Sequence, residues 1–175
     1  MVIDIPVLIP WSNDNNIGKA YNESMKSITD WALLLDHDIF MLNPDWYHIL
    51  CAVAERLGHQ AGWICGRTNN TFCGTQLDRT APKNHDLMAH LKHAKKCHLL
   101  HGTHPVQWTS GTPLSGYMIL THRKAWEDVG GFKDGLLGVD NTYHMDLRKK
   151  GYKAYVLPGL YLYHMHKSKA DWHKF

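Results

Sequence analysis

The 175-residue chain lacks any uninterrupted apolar stretch long enough to cross a bilayer. It also lacks the charged leader, apolar core and cleavage site that mark a secretory signal. Its 19 basic and 16 acidic residues nearly balance, and they form no concentrated basic stripe of the kind that binds nucleic acid. We therefore expect a cytoplasmic protein with no membrane span and no nucleic-acid partner.

The cysteines form no Cys-x-x-Cys pair. Four widely spaced cysteines without a secretion signal favour free thiols in a reducing compartment. His90 and His93 are spaced for one helix face, and Cys97 follows four residues after His93, so these three form a candidate zinc cluster. The alternative is a solvated, partly basic helix, because the spacing fits no closed structural zinc site.

The elements that are present alternate between strand and helix. Apolar runs predict strands at residues 2–9, 31–35, 61–65, 114–121, 153–157 and 160–163. Helical spacing and capping residues predict helices at residues 17–28, 43–58, 84–98, 122–129 and 141–150, and a docked helix in the tail at 167–175. This alternation indicates an α/β sheet in a single domain over residues 1–175.

Two carboxylates follow the apolar run at residues 31–35. Asp36 and Asp38 flank His37 where the predicted strand ends, and strands of open α/β sheets present ligand-binding groups from their carboxyl ends. Oxygen ligands in this arrangement suit Mg²⁺ or Mn²⁺. The alternative is a simple turn, since Asp is common after strands.

Three further features lie in the second half of the chain. They are Gly130-Gly131-Phe132, then Gly138-Val139-Asp140 before a predicted helix, and finally the segment 158–164, which ends in His164. Each has a plain structural alternative. The double glycine could end a helix, Asp140 could cap the next one, and His164 could be a core histidine.

Taken in order, the segments resemble the family 2 glycosyltransferases, which have the GT-A fold and use nucleotide-diphosphate sugars. The resemblance covers nearly the whole chain from Asn15 onward, and its most specific part runs from Gly130 to Tyr152. The segments that carry it are residues 16–22 (Asn-Ile-Gly-Lys-Ala-Tyr-Asn), 36–38, 43–45 (Asn-Pro-Asp), 115–118, 123–126, 129–132, 140, 148–152 and 158–164.

The resemblance implies a GT-A-like mixed sheet flanked by helices and a metal-dependent, inverting transfer from a donor, by default a UDP-sugar, to a saccharide acceptor. Asp38 would bind Mn²⁺ or Mg²⁺, Asp36 would contact the donor or share the metal, and His164 would complete the metal or diphosphate site. His166, two residues on, is the second choice for that ligand. Asp140 would be the general base.

The remaining site residues are expected to contact the two sugars. Asn16, Gly18 and Asn22 match the family's helix start and would bind the donor, while Gly130 and Gly131 would let the backbone approach the acceptor or donor sugar closely. Trp108, in an aromatic and histidine-rich stretch, is a candidate for the acceptor site.

The sequence departs from the family pattern in three places. Val139-Asp140 stands where the family has Glu-Asp, and Asp146 stands where a basic residue is common. The family places a strand–helix–strand unit, which binds the nucleotide base, before the helix that matches residues 16–22. Here only Met1 to Trp11 stands in its place, so the fold is expected to be truncated at its N-terminus. Two alternatives therefore stay open: a non-catalytic GT-A-like binding module or enzyme fragment, and a metal-dependent phosphoester hydrolase.

Overall fold

The computed structural model describes residues 3–165. Within this range, seven strands and five α-helices follow one another, with a short 3₁₀ helix (Gly58–Gln60) between α2 and β4. Their bounds are β1 (Val7–Leu8), α1 (Ile17–Met25), β2 (Trp31–Leu35), β3 (Ile39–Met41), α2 (Trp46–Leu57), β4 (Ala61–Thr68), α3 (Leu87–His101), β5 (Val106–Trp108), β6 (Met118–His122), α4 (Arg123–Asp128), α5 (Val139–Lys149) and β7 (Lys153–His164).

The strands form one mixed sheet flanked by helices, in the order β1-β2-β6-β4-β7-β3, with β5 paired to β7. The pairs β1·β2 and β4·β7 are parallel, whereas β2·β6, β4·β6, β3·β7 and β5·β7 are antiparallel. The α/β class expected from the sequence is therefore confirmed. No helix in residues 3–165 combines the length and apolarity that a membrane crossing requires.

Strand β2 has the bounds that its apolar run predicts, and all five of its residues are buried. It pairs with β6 so that Leu35 lies opposite Met118, and the Asp36 amide then donates to the carbonyl of Tyr117 at 3.0 Å. Because the two strands are antiparallel, the carboxyl end of β2 meets the start of β6. The register therefore places Asp36 and Asp38 near Gly116.

Strand β7 corrects the prediction of two strands at 153–157 and 160–163. The register with β4 shifts between Gly66↔Leu157 and Arg67↔Tyr161, so Pro158 lies in an irregular stretch of one continuous strand. A bulge tolerates proline because the extra residues there have no partner in the ladder.

The short strand β3, which the sequence did not predict, also positions the site. Ile39 pairs with His164, and the amide of Met165 donates to the carbonyl of Asp38 at 3.0 Å. The carboxyl end of β7 is thereby held beside the turn that follows β2.

Other elements differ at their ends. β4 continues to Thr68, and α3 begins at Leu87. The tail predicted as a docked helix lies outside the described residues.

Candidate active site

A cavity of about 510 Å³ opens where β2, β6 and β7 bring their ends together. Asp36, Asp38 and His164 line one part of it, and Asp140, at the start of α5, also lines it. The other lining residues come from α1, from the turn after β2, from the loop after β4, from the segment before β6 and from the loop that leads into the first residue of α5: Ile17, Tyr21, His37, Asn70, Thr71, Phe72, Ser115, Gly116, Tyr117, Leu136 and Val139.

Two carboxylates and one imidazole face one another in this cavity. One ligand atom each from Asp36, Asp38 and His164 lies within 4.8 Å of the others, and Nε2 of His164 is 3.3 Å from Oδ1 of Asp38. The opposite ring nitrogen of His164 lies 2.9 Å from the carbonyl oxygen of Asn70. A carbonyl only accepts, so Nδ1 carries the proton of this bond.

The backbone of His164 is fixed as well. Oδ1 of Asn69 accepts from its amide at 2.8 Å, and Nδ2 of Asn69 donates back to its carbonyl at 3.2 Å. Metal-binding histidines commonly donate a hydrogen bond from their second ring nitrogen to a carbonyl, as Nδ1 of His164 does to Asn70. Asn69 and Asn70 are not among the site residues expected from the sequence; their signal is an Asn-Asn pair in the polar stretch after a strand.

Burial and charge act differently on the three groups. Burial raises the pKa of Asp36. The hydrogen bond from His164 lowers the pKa of Asp38. Burial opposes the charge of His164, but the hydrogen bond and charge of Asp38 outweigh it and raise the pKa of His164. Asp38 thus favours the protonated form of His164.

The donor set of these three residues fits a divalent cation. Carboxylate oxygens suit Mg²⁺ and Mn²⁺, and the added imidazole favours the transition metal. A cation bound between them would take the place of the positive charge that protonated His164 supplies to Asp38.

Asp140 is held in the cavity from a different direction. Its Oδ2 accepts from the amide of Gly116 at 2.7 Å, and its Oδ1 accepts from the amide of Asn141 at 2.9 Å. The helix cap is Gly138, whose φ of 71° is left-handed, so Asp140 is the second helical residue and not the cap. Its carboxylate is aimed at the segment before β6.

Gly116 makes this contact possible. A Cβ at that position would lie 2.6 Å from Cβ of Asp140. Tyr21, which is not among the site residues expected from the sequence, also lines the cavity. Burial, followed by the charges of Asp36 and Asp140, raises the pKa of its phenol, which therefore stays neutral.

The three residues expected to bind the donor from α1 instead make contacts with the glycine loop (residues 130–138). Oδ1 of Asn16 accepts from the amide of Gly135 at 2.9 Å, and the amide of Gly18 donates to the carbonyl of Gly135 at 3.1 Å. The side chain of Asn22 makes two hydrogen bonds to the backbone of Phe132, both of 2.8 Å, and accepts from the indole of Trp126 at 3.0 Å. These contacts fix the loop that leads into α5.

The expected acceptor-site residues lie elsewhere. Gly130 and Gly131 have φ of 74° and 77°, and their amides bond to carbonyls of α4, so they end that helix. Trp108 pairs with Ala154 near the start of β7, whereas His164 ends that strand, so Trp108 lies towards the opposite end of the strand from the cavity. His166 lies outside the described residues.

The candidate zinc residues separate into two environments. His90 is fully buried, and its two ring nitrogens contact the hydroxyl of Tyr161 and the carbonyl of Asn84. His93 and Cys97 instead meet Asp78. The cluster predicted from the spacing is therefore not formed as proposed.

Comparison with known protein families gives no match, and no curated protein matches the chain significantly.

Proposed function

We propose that the chain is a metal-dependent glycosyltransferase of the GT-A type, which moves a sugar from a nucleotide-diphosphate donor, most simply a UDP-sugar, to a saccharide acceptor with inversion. The observation that carries the proposal is one cavity that contains both a trio of side chains able to hold a cation (Asp36, Asp38 and His164) and a separate carboxylate (Asp140) that accepts a hydrogen bond from the amide of Gly116. Such a transfer requires both features.

The trio supplies the leaving-group side of the reaction. Bound Mn²⁺ or Mg²⁺ would neutralise the negative charge that develops on the diphosphate as it leaves. Asp38 would be the principal ligand, because its Oδ1 directly faces Nε2 of His164 at 3.3 Å. His164 is oriented towards it through its bond to Asn70.

Asp140 supplies the acceptor side. As the general base, its carboxylate removes the proton of the acceptor hydroxyl while that oxygen attacks the anomeric carbon. The bond from Gly116 holds it in one orientation, so no rearrangement is needed at the moment of proton transfer.

Calorimetric titration of UDP and GDP, with and without Mn²⁺, tests the metal side. We expect binding that requires Mn²⁺ in the wild type and is lost in Asp38→Ala. Asp45→Ala is the control, because Asp45 precedes α2 without a side-chain capping bond. Equal nucleotide binding with and without Mn²⁺, or in Asp38→Ala, would refute the metal role.

Asp140→Asn tests the proposed role of Asp140 as the general base. We expect this variant to bind the donor normally and to lose transfer by about 10²–10⁴-fold. Full transfer by Asp140→Asn would remove Asp140 as the base, and phosphoester hydrolysis without an acceptor would favour the hydrolase alternative.

A further inference from the structure

Three metal-ligating side chains of different types meet between α3 and the loop that follows β4. Nε2 of His93 lies 2.8 Å from Oδ2 of Asp78, and Sγ of Cys97 lies 3.4 Å from each of those atoms. The side chains of His93 and Asp78 are only 9% and 10% exposed, and Cys97 is buried. We call these three residues the Asp78 cluster.

The geometry differs from that of a catalytic relay. In a relay the histidine uses one ring nitrogen for the nucleophile and the other for the carboxylate. Here the same nitrogen of His93 faces both the thiol and the carboxylate, so the three atoms point towards one centre.

The distances are close to those of a tetrahedral zinc site. Zn–S bonds of about 2.3 Å and Zn–N or Zn–O bonds of about 2.0–2.2 Å place ligand atoms about 3.3–3.6 Å apart. The two distances from Sγ of Cys97 already lie in that range. The distance of 2.8 Å between Nε2 of His93 and Oδ2 of Asp78 would increase by about 0.5 Å when the ion binds.

The ligands are also held in place. His93 and Cys97 are one turn apart on α3, so the helix sets their spacing. The second oxygen of Asp78 accepts from the amide and the hydroxyl of Thr80 at 2.9 and 2.7 Å, which orients the first oxygen towards the cluster.

We propose that the Asp78 cluster binds one Zn²⁺ ion through Oδ2 of Asp78, Nε2 of His93 and Sγ of Cys97, with water at the fourth position. A thiolate, an imidazole and a carboxylate together select Zn²⁺ over Mg²⁺ or Ca²⁺. The ion joins α3 to the loop that carries Asn69 and Asn70. It therefore stabilises a wall of the candidate active site, and this proposal does not depend on the glycosyltransferase assignment.

Co²⁺ is a suitable probe, because a bound thiolate gives a near-ultraviolet charge-transfer band that carboxylate and histidine ligands do not give. We expect metal-free wild-type protein to develop this band with one Co²⁺ per chain, and one equivalent of Zn²⁺ to abolish it. The band should persist in Asp38→Ala, which alters only the trio in the cavity.

Cys97→Ser should lose the band, whereas Cys73→Ser should keep it, because Cys73 is as buried as Cys97 but is not a member of the Asp78 cluster. Absence of the band in the wild type at saturating Co²⁺, or its persistence in Cys97→Ser, would overturn the proposal. If Cys97→Ser fails to fold, the Co²⁺ titration of the wild type still tests the proposal. His93→Gln is the second variant, and it should also lose the band.

Discussion

The contact between Gly116 and Asp140 allows the position of the proposed base to be changed without altering the base itself. In Gly116→Ala the new Cβ would lie 2.6 Å from Cβ of Asp140 and 3.1 Å from its Oδ2. Ordinary carbon–carbon contacts are about 3.5–4.0 Å, so Asp140 must move by about 1 Å. The hydrogen bond of 2.7 Å from the Gly116 amide would be stretched beyond the usual limit.

A displacement of this size has a large expected effect on transfer. A misplacement of about 1 Å can reduce a rate by about 10²-fold, which corresponds to about 2.7 kcal/mol of transition-state stabilisation. Because Asp36, Asp38 and His164 are unchanged, Mn²⁺-dependent nucleotide binding should stay within about twofold of the wild type. The expected result is therefore a low kcat with a normal donor affinity.

The assay measures nucleotide diphosphate release in the presence of acceptor, together with donor binding by calorimetry. Gly111→Ala is the matched control, since a Cβ at Gly111 would meet nothing within 4 Å. Wild-type turnover in Gly116→Ala would show that the position of Asp140 does not limit the reaction. Equal losses of donor binding and turnover would show that the substitution damages the whole cavity.

Three further substitutions test the surroundings of the site. Gly18→Ala would place a Cβ 1.8 Å from the carbonyl oxygen of Lys133; urea denaturation should show a loss of about 1–3 kcal/mol, and an unchanged midpoint would contradict the packing. Asn22→Ala removes three hydrogen bonds to the glycine loop and α4, so we expect a loss of about 2–4 kcal/mol in the same measurement. Burial, with the charge of Arg148, lowers the pKa of His144 from 6.5 to about 4. The unfolded chain therefore takes up this proton first as the pH falls, and stability should decrease by up to about 1.4 kcal/mol per pH unit between those two values. His144→Phe should remove that part of the pH dependence, and an unchanged slope would refute it.

The sequence was most informative where a single local signal decides the structure. The apolar run at β2 has no helical spacing and allows only a buried strand, and its bounds were predicted without error. The strand β3 has only three residues, which is too short for any periodicity to be recognised. Pro158 predicts a break between two strands, and the bulge that accommodates it depends on the register with β4, which local sequence does not reveal.

For the candidate site, the sequence named the carboxylates and His164 but not the residues that orient them. Asp36 and Asp38 directly follow a strand, and such residues can be identified from their position alone. The contacts of His164 with Asn69 and Asn70 join residues more than ninety positions apart. No local pattern contains that information.

For the same reason, the sequence indicated only part of the Asp78 cluster. His93 and Cys97 could be recognised as a pair because helix geometry relates residues four positions apart. The same spacing predicts His90 as a third ligand, but in the structure its ring contacts the hydroxyl of Tyr161. Asp78 comes from a loop and reaches the pair only through the fold, so the third ligand could not be inferred from spacing.

The contacts of α1 give a physical reason for the residues at the start of that helix. Asn16, Gly18 and Asn22 all bind the glycine loop, and that loop ends at Gly138, where α5 begins. Asp140 is the second residue of α5, so the loop determines where its carboxylate lies. Residues more than a hundred positions before Asp140 in the chain therefore contribute to the site by fixing the backbone that carries the proposed base. A direct role in donor binding is not needed to explain why these residue types occur there.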